Sequence, residues 1–306
     1  MSLEPFMITV PGSTANLGPG FDSVGLAVDC YLNLVVKPAE VWSFSSESPD
    51  LVGIPSGEEN LICRVANHVA KTFDYQLSPC KVEMTSDIPL TRGLGSSAAA
   101  IVAGIELANQ QMGNRLSPQE KVRLASLWEG HPDNVGASVY GGLVIGTHTV
   151  DSTHVLYGGV PNLDLVLVIP RHELLTKKAR GVLPETLPFK QAVRGSGVAN
   201  VLVAALLQGD FELAGEMMGS DVFHHPYRGE LVPHLEEVIH VVNEETQAYG
   251  AALSGAGPTI FCLAPLHQGG SVKKVLESRF PEFDVDVLAP AKHGIQVKVP
   301  SFLKEA

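Results

Sequence analysis

The segment that most constrains the fold is a glycine-rich turn that leads directly into a long apolar run. It reads Pro89-Leu90-Thr91-Arg92-Gly93-Leu94-Gly95-Ser96-Ser97-Ala98-Ala99, and no charged residue follows before Glu106. A helix that is apolar on nearly all sides has to be buried. Glycine permits close backbone approach, and the first turn of a helix offers free N–H groups to an anion. The turn therefore predicts a phosphate-binding loop at the start of a buried helix.

Two other interpretations of this turn stay open. A serine-capped core helix after a glycine-rich turn would use the same residues for structural reasons alone. The spacing from Gly93 to Ala98 also fits the dinucleotide pattern G-x-G-x-x-A, although Pro89 and Arg92 interrupt the strand that this pattern needs. The Walker A pattern is excluded, because the chain contains no Gly-Lys pair.

Composition and charge favour a soluble enzyme. The chain has 306 residues, 45% of them hydrophobic, and a formal net charge of -12, which argues against nucleic-acid and anionic membrane partners. No stretch approaches the roughly 20 apolar residues of a membrane span, so we expect a cytoplasmic location. Four cysteines without metal-site spacing suggest reduced thiols in the core. The length suggests two domains, 1–155 and 156–306.

The spacing of apolar residues and the positions of glycine and proline predict a mixture of helices and strands. Strands are expected over residues 7–10, 25–36, 81–85, 142–146, 163–169 and 259–263, and helices over 61–73, 116–127, 193–208 and within 230–249. The second half alternates strands and helices, which is typical of an α+β sandwich.

Two more glycine-rich loops precede or follow predicted strands. The first spans residues 10–27 and carries the short polar side chains of Ser13, Asn16 and Asp22. The last spans residues 253–259 and leads into a hydrophobic strand. Asparagine and aspartate in turns often bond their own backbone, so each loop alone could be structural. Three such loops in one chain favour a shared site.

In this order the three loops resemble the three motifs of the GHMP small-molecule kinases. Within that superfamily the chain most resembles the homoserine kinases. The first loop, from Pro11 to Asp22, is the most specific motif, and similar segments occur at 129–135, 176–180 and 224–228. The resemblance covers most of residues 7 to 265.

The resemblance implies an α+β fold with an N-terminal ATP-binding domain like domain 2 of ribosomal protein S5. The C-terminal domain is implied to be a ferredoxin-like sandwich, with the active site between the two. The implied reaction moves the γ-phosphoryl group of ATP, with Mg²⁺, to the side-chain hydroxyl of L-homoserine. Its product, O-phospho-L-homoserine, leads to threonine. Family members are often homodimers.

The family pattern also implies which residues hold the nucleotide and the metal. ATP phosphates are expected on the loop from Pro89 to Ala99, and adenine near Asn60, which could equally be a plain helix N-cap. Glu129 is the candidate Mg²⁺ ligand, together with the hydroxyl of Ser96 or Ser97. A solvated helix end is the alternative interpretation of Glu129.

The substrate residues follow from the same pattern. Arg180 and Arg228 are expected to hold the homoserine carboxylate, because the guanidinium fork matches two oxygens. Asn16 and Asp22 would accept from its ammonium group, with His131 nearby. Without the resemblance, His131 would be interpreted as a helix-terminal or surface histidine.

The catalytic candidates are three. The resemblance implies catalytic roles for Asn16 and Arg180 in addition to substrate binding, and Asp133 is a hypothesis for the general base. Homoserine kinases have also been argued to work without a base, through positioning and electrostatics. His224 and His225 lack the spacing of a zinc pair, and we expect them to shape the pocket near Arg228.

Two competing functions remain at this point. Another GHMP kinase could act on mevalonate or a related polyol, but mevalonate has no ammonium group to use the acceptors Asn16 and Asp22. A non-catalytic nucleotide-binding regulator could use the same scaffold. Such a regulator should have lost a metal ligand or a loop serine, whereas this chain keeps Ser96, Ser97 and Glu129.

Overall fold

The fold of residues 4–299, described by a computed structural model, is built on two β-sheets. The first sheet contains β1 (Phe6–Ala15), β2 (Val24–Pro38), β3 (Ser43–Ser46), β4 (Cys80–Ser86), β5 (Leu143–His148), β6 (Thr153–Gly159) and β11 (Gln296–Lys298). The second contains β7 (Leu163–Ile169), β8 (Gly250–Leu253), β9 (Ile260–Pro265) and β10 (Asp284–Leu288).

The helices are distributed over both halves of the chain. They are α1 (Leu61–Thr72), α2 (Ser96–Gln111), α3 (Pro118–Glu129), α4 (Asp133–Tyr140), α5 (Thr176–Gly181), α6 (Phe189–Gln208), α7 (Phe211–Met218), α8 (His225–Arg228), α9 (Leu235–Glu245) and α10 (Gly269–Arg279). Short 3₁₀ turns lie at Pro49–Leu51 and Gly229–Leu231. Within these described residues, no helix has both the length and the apolar character needed to cross a bilayer.

Strand β2 organises the first sheet. The order is β11-β1-β2-β4-β3, and the N-terminal part of β2 also pairs with β5, which in turn pairs with β6. Every pairing is antiparallel except that of β3 with β4. From Cys30 to Val36 the buried and half-buried side chains alternate, as expected for a strand with one face on the core.

The second sheet has the strand order β10-β7-β9-β8, with antiparallel neighbours. In chain order this is 4-1-3-2, with helices between the first and second strands and between the third and fourth, which is the ferredoxin-like arrangement. The predicted α+β class and the ferredoxin-like C-terminal sheet are therefore confirmed. Because β7 is central, its run of apolar residues is almost entirely buried.

Helix α2 is the central helix that the sequence predicts. It packs against α1, α3, α4 and β1, and most of its residues are buried. A Cβ on Gly104 would lie 2.7 Å from the carbonyl oxygen of Ile62, so glycine allows α1 to approach closely. The buried carboxylate of Glu106 pairs with Lys121 Nζ at 2.6 Å, which neutralises the first charge of the helix.

Several boundaries differ from those predicted. Strand β1 continues to Ala15, so part of the first glycine-rich loop is strand rather than loop. The register shifts between Pro11 and Gly12; a bulge accommodates proline in a strand and turns the following residues. The helix expected within 230–249 is limited to Leu235–Glu245, because a 3₁₀ turn precedes it.

The predicted division at residue 155 stays a prediction. Strand β6 runs across that position within the first sheet, and the second sheet begins at Leu163. Near the other end of the chain, β11 pairs with β1, so residues 296–298 belong to the first sheet. One hydrophobic core also joins the halves, since Leu17 and Met218 belong to the same buried cluster.

Candidate active site

The three glycine-rich loops line a single cleft of about 790 Å³. It is bounded by the phosphate loop, by the junction of α3 and α4, and by residues of the second half. The lining residues are Asn16, Phe21, Asp22, Thr91, Gly93, Gly95, Ser96, Ser97, Ala98, Glu129, His131, Asp133, Asn134, Leu174, Leu175, Thr176, Arg180, Arg228, Gly255, Ala256 and Gly257. The predicted shared site therefore exists as a cavity.

The phosphate loop ends in a helix without a side-chain cap. Helix α2 begins at Ser96, and Gly95 occupies the cap position with φ 72°. A Cβ at Gly95 would lie 2.2 Å from Ser13 Oγ, so only glycine fits. Because no side chain caps α2, the interpretation as a serine-capped helix is wrong, and the N–H groups of the first turn are left for a ligand.

The last glycine-rich loop holds the other two in place. Ser254 Oγ donates to the carbonyl oxygen of Gly93 at 2.6 Å and lies 2.9 Å from Thr14 Oγ1. The N–H of Gly255 donates to Ala15 O at 3.0 Å. The Ser254 side chain that makes the first two contacts is completely buried, and together the three contacts fix the phosphate loop against β1.

Arg180 and Asp22 form an ion pair at one end of the cleft. Nη1 and Nη2 of Arg180 donate to the two carboxylate oxygens of Asp22 at 3.0 and 2.7 Å. This bidentate geometry is the strongest form of the pair. The two expected substrate ligands therefore bind each other here.

Arg228 lies deeper in the same region and is only 2% exposed. Its Nε donates to Ala179 O at 3.2 Å and its Nη1 to Gly255 O at 2.9 Å. Burial and the nearby charge of Arg180 lower the pKa of Arg228 to about 10. The side chain thus stays cationic at neutral pH.

One aromatic ring lies close to both arginines. The Cζ atoms of Arg180 and Arg228 lie 5.7 and 5.4 Å from the ring centroid of Phe21, within the range of cation–π attraction. His224 stacks on the same ring with a centroid distance of 5.4 Å. His224 also lies 3.4 Å from Arg228 Nη1, so it shapes this pocket as expected.

Asn16 is almost completely buried and holds the loops together. Its Nδ2 donates to Gly255 O at 3.0 Å, and its Oδ1 accepts from the N–H of Asp22 at 3.0 Å. Both ends of the amide therefore have partners in the protein, and only one lone pair of Oδ1 is left for an ammonium group.

Glu129 lies at the end of α3 and faces the phosphate loop. Its Oε2 accepts from Ser97 Oγ at 3.3 Å, and its side chain is only 18% exposed. Burial raises the pKa of Glu129, which His131 and Ser97 partly offset. The solvated-helix-end interpretation is therefore wrong. A carboxylate beside a hydroxyl is the type of donor set that Mg²⁺ accepts.

His131 and Asp133 form a short hydrogen bond at the start of α4. His131 Nδ1 lies 2.5 Å from Asp133 Oδ1, which also accepts from the N–H of Asn134 at 2.7 Å. Burial alone would lower the pKa of His131, but Asp133, Asp22 and Glu129 raise it to about 9. Since its side chain is 10% exposed, the surface-histidine interpretation is wrong.

A second, mainly apolar cavity of about 810 Å³ adjoins the cleft. It shares Thr91, Ser96 and Ser97 with the cleft and contains Asn60. Asn60 is also the N-cap of α1, since its Oδ1 accepts from the N–H of Ile62 at 3.0 Å. The N-cap role is therefore present, and Asn60 still lines a slot next to the phosphate loop.

Sequence reasoning gave no role to Phe21 or Asn134, although both line the cleft. Asn134 Nδ2 donates to Ser13 Oγ at 3.0 Å and so joins α4 to β1. An aromatic residue flanked by glycine and aspartate in a polar loop was the signal for Phe21. Asn134 follows Asp133 directly, and its contact with β1 depends on the tertiary fold.

Comparison with known proteins points to the GHMP kinases, which the three loops resemble. Residues 60–142 match the family described as GHMP kinases N terminal domain, and residues 202–282 match GHMP kinases C terminal. The homoserine kinase of Halalkalibacterium halodurans is 67% identical over 96% of this chain and 95% of that protein. The homoserine kinase of Shouchella clausii is 54% identical over 96% and 98%.

Solved structures have the same fold. The crystal structure of homoserine kinase from Cytophaga hutchinsonii has a TM-score of 0.83 at 30% identity, over 96% of this chain and 98% of that chain. A mevalonate kinase structure has a TM-score of 0.69 at 16% identity over 94% and 99%. The second match reflects the fold alone.

Proposed function

The chain belongs to the homoserine kinases of the GHMP kinase family, and from this membership we propose that its cleft transfers the γ-phosphoryl group of ATP to the side-chain hydroxyl of L-homoserine. The observation that carries the proposal is the pair Arg180–Asp22 beside Arg228, close to the N-terminus of α2. This arrangement offers opposite charges to a zwitterion next to a phosphate-binding helix end.

L-Homoserine would bind at the end of the cleft that contains the arginines. Its carboxylate meets Arg228 and Arg180, and its ammonium group meets Asp22 and the free lone pair of Asn16. A zwitterion that enters between Arg180 and Asp22 gives each of them a new partner of opposite charge, so neither is left unpaired. The Arg180–Asp22 ion pair can therefore be exchanged for two ion pairs with the substrate.

The nucleotide would lie across both cavities. Adenine fits the apolar slot that contains Asn60, and the phosphates then reach the shared residues Thr91, Ser96 and Ser97. The N–H groups of the first turn of α2 bind phosphate oxygens, helped by the positive end of the helix dipole. Gly93 and Gly95 let the backbone approach those oxygens closely.

The donor set of Glu129 and Ser97 fits Mg²⁺, which prefers oxygen ligands and keeps several waters. Glu129 and Ser97 would hold the ion, which would supply positive charge against the negative charge that develops during transfer. Glu129 then holds the metal side of the cleft, while Arg180, on the other side, stabilises the transferred group and the substrate. Both effects act through positioning and charge.

Asp133 is the hypothesis for the proton acceptor. Its Oδ1 already accepts from His131 and Asn134, which leaves Oδ2 for the substrate hydroxyl. Protonated His131 holds this carboxylate in place, and a carboxylate held in this way can also act through positioning alone. A base-free reaction therefore stays open as the alternative, with Asp133 as a positioning residue.

ADP release tests the proposal directly. With Mg-ATP, L-homoserine should stimulate release, whereas mevalonate, galactose, L-serine and buffer should not. Arg228→Ala should lower kcat/KM for L-homoserine by about a hundredfold or more, as loss of a buried charged contact costs roughly 2–5 kcal/mol. Arg171→Ala is the matched control, because Arg171 is exposed and pairs only with Asp284 among the described residues.

The opposite result would be equally clear. If the protein bound ATP and no acceptor stimulated ADP release, the kinase assignment would fail and a regulatory role would take its place. If mevalonate were the better acceptor, the substrate assignment alone would fail.

Location and assembly complete the proposal. We place the enzyme in the cytoplasm, a location compatible with the free thiols of its four buried cysteines. A homodimer stays a prediction, and light scattering after gel filtration would measure it.

A further inference from the structure

We propose that His224 is a positioning residue that fixes the distance between the two charged ends of the substrate pocket, and so makes the pocket selective for an α-amino acid. The inference rests on the proposed function and adds a determinant of its specificity. It depends on one buried side chain that contacts both halves of the site.

On one side, His224 holds the loop that carries Phe21 and Asp22. Its Nε2 lies 2.9 Å from the carbonyl oxygen of Gly18, to which it donates. Its ring stacks on Phe21 with an interplanar angle of 28°. Asp22, the expected partner of the substrate ammonium group, follows Phe21 directly in the chain.

On the other side, His224 holds the arginine expected to bind the carboxylate. Because Nε2 donates to a carbonyl, Nδ1 of a neutral imidazole is the acceptor. Arg228 Nη1 lies 3.4 Å from that atom. His224 is completely buried, and burial, His225 and Arg228 lower its pKa to about 3. The ring therefore keeps this neutral form at physiological pH.

The loop needs such an anchor because it contains little regular structure. Asn16, Leu17, Gly18 and Asp22 all have positive φ, and the Asn16 amide fixes the loop only at its start and at Asp22. Arg228, in turn, is bound to Ala179 and Gly255 in the second half. Gly255 joins Arg228 to Asn16 at the start of the loop, whereas His224 joins Arg228 to the part of the loop around Gly18 and Phe21. Loss of His224 therefore lets this part of the loop move relative to Arg228.

Steady-state kinetics of the full-length enzyme test this inference. His224→Gln can keep a donor for the carbonyl oxygen of Gly18 but loses the acceptor for Arg228. His224→Asn can keep an acceptor for Arg228 but loses the donor for Gly18. Each should raise KM for L-homoserine at least tenfold, with KM for ATP within twofold of the wild type. A purely structural role would lower the melting temperature and the active fraction, hence apparent kcat, without changing KM for L-homoserine.

Two further variants complete the design. Phe21→Leu removes the stacked ring from the cleft side and should raise KM for L-homoserine several-fold even if the His224 variants do not fold. His148→Gln is the matched control, since His148 is also partly buried but lies outside the cleft, where its Nδ1 is 2.7 Å from Thr153 Oγ1. It should leave KM for both substrates within twofold.

The outcomes separate the two proposals. An active wild type whose folded His224 variants keep KM for L-homoserine within twofold would overturn this inference and leave the proposed function intact. An unchanged KM for L-homoserine in Phe21→Leu would also overturn the inference if the His224 variants do not fold. An equal rise of this KM in the control His148→Gln would overturn it as well. A wild type without homoserine-dependent ADP release would contradict both proposals.

Discussion

Asn16 and Arg228 donate hydrogen bonds to the same acceptor, the carbonyl oxygen of Gly255, at 3.0 and 2.9 Å. Asn16 follows the first strand of the fold, whereas Arg228 and Gly255 belong to the second half. Both donors are almost fully buried, so water does not compete for this oxygen. The glycine-rich loop after β8 thereby connects the first loop to the arginine, in addition to supporting the phosphate loop.

Gly95→Ala should destabilise the protein more than a comparable change elsewhere. The new Cβ would lie 2.2 Å from Ser13 Oγ and would occupy a residue with φ 72°. Left-handed strain costs about 1–2 kcal/mol and overpacking about 1–3 kcal/mol. We expect a loss of about 3 kcal/mol in the free energy of unfolding, measured by urea denaturation, and a raised KM for ATP.

Gly113→Ala provides the control for that experiment. Gly113 has φ 83°, yet its Cβ would meet nothing within 4 Å. The strain of about 1 kcal/mol should remain while the clash is absent. Equal losses at the two positions would show that the contact with Ser13 is unimportant.

Glu129→Gln should affect catalysis through the metal. The amide oxygen is a weaker ligand for Mg²⁺ than a carboxylate, so kcat should fall by about a hundredfold at millimolar Mg²⁺ and recover partly as Mg²⁺ is raised. Binding of ATP in EDTA should be unchanged. Glu245→Gln, at a surface carboxylate paired with Arg279, should have no effect. A loss that is independent of Mg²⁺ would rule out the metal role.

Asp133→Asn tests the general-base hypothesis. A general base contributes about 10²–10⁴ in rate, so kcat at saturating substrates should fall by at least a hundredfold. Asp29→Asn is a control outside the cleft, because that carboxylate is exposed and accepts from the N–H of Ala289. A variant of Asp133 that retains more than a tenth of kcat would leave Asp133 with a positioning role only.

The stability of the fold should decrease in acid partly because of His224. An unfolded histidine has a pKa of about 6.5, whereas the pKa of buried His224 is about 3. At a pH between these two values, the unfolded state binds one more proton than the folded state. The contribution of neutral His224 to the free energy of unfolding is therefore complete above about pH 6.5. It is lost as pH falls, by up to about 1.4 kcal/mol per pH unit. The pKa values of His225 and Asp221 are also lowered, and they act in the same direction.

Urea denaturation between pH 7.5 and 4.5 would measure this dependence. His224→Gln should have a shallower slope than the wild type, because one of the titrating groups is gone. Arg228, which faces His224 from α8, stays charged over this range and cannot cause the difference. Parallel curves for the two proteins would contradict the assignment.

Local sequence patterns predicted the parts of the fold that depend on local residues. The apolar run after Ser97 gave a buried helix, and the alternation along residues 30–36 gave a half-buried strand. Strands β3 and β11 were not predicted, because Ser43–Ser46 is polar and Gln296–Lys298 has only three residues. Both are strands because of their long-range partners.

The candidate site, too, could be predicted only in part from local sequence patterns. The glycine-rich motifs located the three loops, but they assigned Asp22 and Arg180 separately to a ligand, whereas the side chains form an ion pair. Asn16 was expected to face a substrate and mainly holds two loops together. Contacts between residues so far apart in the chain depend on tertiary packing, which the local patterns of a single sequence do not reveal.

The pairing of β11 with β1 affects the order in which the first sheet can form during translation. Strand β1 is synthesised first, yet its partner on one side is residues 296–298. Until those residues emerge, the backbone groups on that side of β1 form an open sheet edge, which favours pairing with other chains. This edge is therefore covered only after residue 298 has emerged, and nascent chains that have not reached it are the ones most dependent on a chaperone.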